Sequence, residues 1–160
     1  MPEKIGQRLK MVRKLYGLSQ RELAKRAGVA NSAISVMEQD SVSPSVASLG
    51  KVLTGFPLPV SDFFSLDISA SLQPSALDTP TSDMRLSLTA YSAELGRQSQ
   101  ALLFKQKALI IVVSGSVRLS TLNDELMLVA GQQLTLPAMT LCLFTSNDAA
   151  SHWVVGYLSS

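Results

Sequence analysis

The sequence predicts a multi-domain chain of mixed class, an all-α head of five helices over residues 1–66 and a small all-β body over residues 84–160, joined by a linker at 67–83. Three observations predict this. Apolar residues recur at steps of three and four up to about Ser65, the period of a helix with one buried face. The text then turns to Ser, Ala, Pro, Thr and Asp without periodicity, as linkers do. Beyond it, eight short apolar runs alternate with turn signals such as Ser114-Gly115-Ser116, Asn123-Asp124, Ala130-Gly131 and Asn147-Asp148, the rhythm of a sandwich or barrel.

Each element has its own signal. Ile5, Leu9, Val12 and Leu15 give a first amphipathic helix that Gly17 ends. Ser19 and Glu22 read as a capping box with Leu18 and Leu23 stapled across it. They open a short second helix from Gln20 to about Ala27, and Gly28 supplies the left-handed turn after it. A third helix begins near Asn31 and turns Ile34 and Met37 inward. Ser43-Pro44 reads as cap and first residue of a fourth helix, with Val46, Leu49, Val52 and Leu53 facing the core. A break at 55–59 precedes a last short helix at 60–64, with two aromatics for the core. The expected strands are 84–91, 102–104, 109–113, 117–122, 125–129, 133–136, 141–145 and 153–158.

Composition narrows the class. With 46% hydrophobic and 16% charged residues the chain can bury a core and is not of disordered composition. The formal charge is only +2, but it is unevenly spread. Residues 1–66 hold nine Lys or Arg against five Asp or Glu, a net +4, and residues 67–160 hold five against seven, a net −2. A basic head on a slightly acidic body suits a polyanion-binding module. The single cysteine, Cys142, excludes an internal disulfide and fits a reducing compartment. The N-terminus has no signal-peptide core, and the longest apolar stretch, 108–113, is far too short for a bilayer. A soluble, cytoplasmic protein without a membrane partner is expected.

Residues 19–38 carry the most information. Two short helices around Gly28-Val29-Ala30 suit a near-perpendicular crossing, with Leu23, Ala24, Val29, Ile34 and Met37 in the angle. The text Leu-Ser-Gln-Arg-Glu-Leu-Ala-Lys-Arg-Ala-Gly-Val, then Ser-Ala-Ile-Ser, then Met-Glu, resembles the Cro/C1-type (Xre) helix-turn-helix family over roughly residues 5–66. The resemblance implies DNA contacts from Gln20 and Arg21, base reading by Asn31, Ser32 and Ser35, and phosphate contacts from Gln39 and the 41–45 loop, including Ser43. The chemistry suits those roles. Asn pairs bidentately with adenine and Ser serves several bases, and Arg8, Arg13 and Lys14 add electrostatic attraction. Ala30 stands where the family favours a capping Ser or Thr, so Asn31 is either reader or cap.

The β half resembles a cupin, a small jelly roll often fused to this helix-turn-helix. The glycines of the first cupin motif fall on Gly96 and Gly115, and its metal-ligand positions on Leu102, Phe104 and Ala108. In the second motif Gly131 and Pro137 match, the inner glycine is Met139, the histidine is Cys142, and Asn147 lies one place beyond the expected asparagine. The frame survives while the ligands do not, since metal binding needs several converging donors. No metal, cofactor or enzymatic activity is expected. Leu102, Phe104, Ala108, Ile110 and Cys142 line either a filled core or a pocket for a small, partly apolar effector. Leu109, Ile111 and Val113 make the opposite face of that strand apolar, which a dimer partner would cover.

The expected function is a homodimeric, sequence-specific transcription regulator, a repressor of a catabolic or transport operon that binds a near-palindromic double-stranded operator under effector control. The alternative is an antitoxin-like or other protein-binding module whose cupin serves only for dimerisation.

Overall fold

The computed structural model describes residues 4–69, 72, 85–148 and 150–159, and the chain divides into two compact units, residues 1–66 and 67–160.

The first unit holds five helices, α1 (Ile5–Leu15), α2 (Gln20–Ala27), α3 (Asn31–Glu38), α4 (Val46–Leu53) and α5 (Val60–Ser65). Leu9, Val12, Leu23, Ile34, Val52 and Phe63 are completely buried between them. The Ser19–Glu22 capping box opens α2, and Gly28 closes it in the left-handed region at φ +63. Three expectations are corrected. The cap of α4 is Ser45, whose Oγ accepts from the Ser48 N–H at 3.1 Å, so Ser43 and Pro44 precede the helix. Either serine could cap, but Ser45 also meets the Ser48 hydroxyl at 2.9 Å. The later start turns Val46 outward, 71% exposed. Phe64 is likewise outside while Phe63 is inside, because neighbours on a helix point about 100° apart. Met37 is only half-buried, since α3 packs through Ile34 and Glu38, four residues apart on one face.

One close approach sets the seat of α3. A β-carbon on Gly6 would lie 1.9 Å from the Met37 carbonyl oxygen, so only glycine lets α1 come this near. The Gly6 N–H donates to Asp40 Oδ1 at 2.8 Å, and Asp40 itself is left-handed at φ +53, a region that Asp and Asn tolerate.

The second unit contains β1 (Arg85–Glu94), β2 (Leu102–Phe104), β3 (Ala108–Ser114), β4 (Ser116–Ser120), β5 (Glu125–Val129), β6 (Gln133–Leu136), β7 (Thr140–Ser146) and β8 (Ala150–Ser159). They form two four-stranded sheets, β1-β8-β3-β6 and β2-β7-β4-β5. The antiparallel pairs β1 with β8, β2 with β7, β3 with β6 and β4 with β5 are nested one inside another. A long hairpin rolled up in that way is a jelly roll. Inner faces of both sheets supply one core, with Phe104, Ile110, Leu119, Leu134, Phe144 and Trp153 almost wholly buried.

Strand β8 starts three residues before the expected run, paired with β1 as far as Ala150 opposite Glu94. Polar Ser151 hid this start. It is fully buried, with its hydroxyl bonded to the Ser146 hydroxyl and the Ser116 carbonyl. Met84 and most of the expected linker lie outside the described residues. The described residues there join the second unit: the Asp67 N–H donates to the Met139 carbonyl, and buried Leu72 donates its N–H to Asp124 Oδ2. Met139 adopts φ +60, a conformation suited to the glycine that the cupin pattern places there.

Candidate functional site

The turn between α2 and α3 is held by one buried carboxylate. Glu38, at the end of α3, receives Arg13 Nε at 2.5 Å and Nη2 at 2.8 Å from α1, and Gln20 Nε2 at 2.9 Å from α2. Arg13 Nη1 also donates to the Leu18 carbonyl at 2.7 Å. Burial alone would push the Glu38 carboxyl up. The hydrogen bonds from Arg13 and Gln20, with the charges of Arg13 and Lys10, outweigh it and hold the group below the ordinary carboxylate range. In return, hydrogen bonding to Glu38 keeps Arg13 charged despite burial. Three helices thus meet at one bidentate pair, a geometry that arginine favours.

This arrangement overturns part of the electrostatic expectation. Arg8 and Arg13 are buried rather than free for phosphates. Arg8 donates to the Phe63 and Phe64 carbonyls at 2.6 and 2.9 Å and lies over the Phe63 ring, clamping the C-terminus of α5 where cations are favoured. Lys14 and Arg21 remain exposed. The pattern offered no warning, because a buried arginine occupies the same helical positions as a solvated one.

The named DNA residues fall as follows. Asn31 and Ser32 open α3 and are exposed. The N-cap is Ala30 without a side-chain cap bond, so Asn31 is the first helical residue and the capping alternative lapses. Ser35 is half-exposed and accepts from Gln39 Nε2 at 3.2 Å, tying two of the named residues together. Gln20 at the start of α2 is fixed through its amide nitrogen by Glu38. Ser43 is exposed in the loop after α3. Val36 was missed. Together with Ser32, Ala33, Met37 and Val42 it lines a shallow groove of about 270 Å³ on α3, and it is 37% exposed. Its position four residues after Ser32 was the available signal.

Residues 9–63 match the family model described as Helix-turn-helix. The first unit is a helix-turn-helix domain. The chain is similar to the HTH-type transcriptional regulator PuuR of Escherichia coli strain K12, 48% identical over 60 residues, which is 38% of this chain and 32% of that protein. It is also similar to the HTH-type transcriptional regulator SutR of the same strain, 36% identical over 88 residues, 54% of this chain and 48% of that one. The chain spans about a third to a half of the length of these curated relatives. Among solved structures, a transcriptional regulator from Vibrio cholerae matches with a TM-score of 0.41 at 19% identity, covering 98% of this chain and 96% of that one.

In the jelly roll the residues at the cupin ligand positions come together. Leu102 on β2 sits opposite Cys142 on β7 in the strand register, and Phe104, Ala108, Ile110 and Cys142 belong to one buried cluster that Leu102 packs against. Burial pushes the Cys142 thiol well above its ordinary range, so it stays protonated at neutral pH. Among the described residues no three His, Cys, Asp or Glu side chains gather where they could hold an ion. His152 lies elsewhere, on β8, with Nδ1 3.0 Å from the Ser114 hydroxyl. No helix among the described residues is long and apolar enough to cross a membrane.

Proposed function

We propose that the chain is a sequence-specific DNA-binding transcription regulator that acts as a homodimer, with a small effector held inside a metal-free jelly roll. The observation that carries this reading is the outward face of α3. Asn31, Ser32 and Val36 point away from a turn that Glu38 braces on three sides. Asn offers a bidentate pair to adenine, Ser a donor or acceptor, and Val36 an apolar contact for a thymine methyl. Exposed Arg21 and Lys14, with the 41–45 loop, suit the flanking phosphates. The names of PuuR and SutR as transcriptional regulators support the same reading. Repression of a catabolic or transport operon extends the family resemblance.

The homodimer is supported by the outer face of the β1-β8-β3-β6 sheet. Leu88 and Val113 are each 60% exposed there, on the same side as Leu109 and Ile111 of β3 and Val154 of β8. An apolar sheet face of this kind is normally covered. A two-fold protein reads a two-fold site. Selection of bound duplexes from random DNA is expected to return a near-palindrome with half-site centres about 10 bp, or a multiple, apart. Selection that enriches no sequence would remove the DNA reading, and enrichment of an isolated half-site would remove the dimer.

A further inference from the structure

The groove on α3 is apolar beside residues suited to hydrogen bonding, and the turn after the helix builds it. The Asp40 N–H donates to the Met37 carbonyl at 3.0 Å, and the Ser41 N–H reaches back to the Val36 carbonyl at 3.3 Å. Asp40 between them is left-handed at φ +53. These are the two bonds of a Schellman turn. The chain thereby folds back along α3, and Val42, 53% exposed, joins Val36 in the groove. Ser32 and Val36 share one face of the helix, four residues apart. Among the described residues lining the groove, Ser32 alone has a side-chain oxygen or nitrogen.

Charge does not account for this surface. Residues 41–45 read Ser-Val-Ser-Pro-Ser, with no cation for a phosphate. Clustered exposed apolar side chains mark a surface that a partner covers. Ser32 belongs both to the groove and to the residues suited to base reading, so the base edges that α3 meets also cover the two valines. Those edges present one apolar group in the major groove, the C5-methyl of thymine. The Ser32 hydroxyl does not divide the pyrimidines, because it can donate to thymine O4 or accept from the cytosine amino group. Discrimination at this point therefore falls to the methyl.

We infer that the α3 groove seats the C5-methyl group of a pyrimidine, and that it reads the methyl rather than the base pair that carries it. This rests on the DNA reading above and names the chemical group that this part of the surface selects. Thymine fits, and so does 5-methylcytosine, which carries the same group at the same ring position. Uracil and cytosine leave Val36 and Val42 uncovered. Methylation of a cytosine at this step thus creates a contact for the protein.

The test uses the intact chain and the duplex it selects from random DNA. Each thymine is replaced in turn by deoxyuridine, which removes the methyl and leaves the pairing unchanged. Fluorescence anisotropy is expected to find a position in each half-site where affinity falls about fourfold, the worth of one buried methyl group. There, 5-methylcytosine paired with guanine is expected to bind as tightly as thymine, and cytosine as weakly as uracil. Val36→Ala, and Val36→Thr, which keeps the shape and adds a hydroxyl, are expected to bind all four bases within about twofold of one another. No loss at any thymine, with the selected duplex still preferred to a scrambled one, would overturn the methyl seat and leave the DNA reading standing. Binding of 5-methylcytosine no tighter than that of cytosine would show that the base pair is read, and would overturn the inference. A methyl preference kept in full by both Val36 variants would take the contact away from this groove. Equal affinity of wild type for selected and scrambled duplexes would remove the DNA reading itself.

Discussion

Replacing Glu38 with Gln is expected to destabilise the helical unit by about 3–5 kcal/mol, the cost of breaking a buried ion pair from one side. The variant keeps the shape of the side chain but removes the charge that compensates buried Arg13. The Glu38 side chain is 2% exposed and that of Arg13 10%, so little solvent is at hand to replace the lost partner. The loss reaches three helices at once, because Arg13 belongs to α1, Gln20 to α2 and Glu38 to α3. The effect depends on pH. The folded-state pKa of Glu38 is lowered, so its stabilisation is complete above the unfolded value of about 4.3 and fades as pH falls through the lower folded value. Denaturant titrations followed by helical circular dichroism are expected to show a wide gap between wild type and variant at neutral pH. The gap should narrow in acid, where wild type also carries a neutral side chain. A gap below about 1 kcal/mol at pH 7, or one that widens in acid, would show that the pair does not brace the turn.

Gly6→Ala is expected to destabilise the same unit by the upper part of the roughly 1–3 kcal/mol range for overpacking. Helix propensity alone predicts the opposite sign, since alanine in a helix interior gains about 0.5–1 kcal/mol over glycine. Geometry decides between them. The new methyl would stand 1.9 Å from the Met37 carbonyl oxygen, a backbone atom that moves only if α3 moves. Displacing α3 would also pull Asp40 from the Gly6 N–H, which it accepts at 2.8 Å. Gln7→Ala, at an exposed neighbour, is the matched control and is expected to leave stability within about 0.5 kcal/mol of wild type. Denaturation midpoints of the two variants check this, and a neutral or stabilised Gly6→Ala would show that α1 and α3 are not in contact there.

Period and punctuation made the five helices and eight strands legible. A capping box at Ser19, a left-handed glycine at Gly28 and the alternation of strands 102–104, 125–129 and 133–136 are local signals, and each landed on its element. What pattern could not carry was the choice between chemically equal partners. Ser43 and Ser45 are both competent caps, and it is Ser45 whose hydroxyl meets the N–H and hydroxyl of Ser48. Arg8 and Arg13 read as sources of electrostatic attraction because cations count alike in a sequence, whereas their partners, the carbonyls of Phe63 and Phe64 and the carboxylate of Glu38, come from residues 25 to 56 positions away. Trp153 read simply as the start of a strand. That its N–H has no partner among the described residues depends on three strands meeting, which no local window contains.

Base reading by α3 is tested most directly by fluorescence anisotropy on the selected duplex and a scrambled one of equal length, with wild type and the Asn31→Ala, Ser32→Ala double variant. Each good base contact contributes about 1–3 kcal/mol of discrimination, so loss of both is expected to weaken binding to the selected duplex roughly a hundredfold. Both side chains are exposed and outside the core, so folding should be retained. Wild type is expected to prefer the selected duplex strongly, and the variant to bind both duplexes with the weak, salt-sensitive affinity of phosphate contacts alone. Equal affinity of wild type for the two duplexes, or a variant that keeps the full preference, would contradict the assignment of α3 as the reading helix.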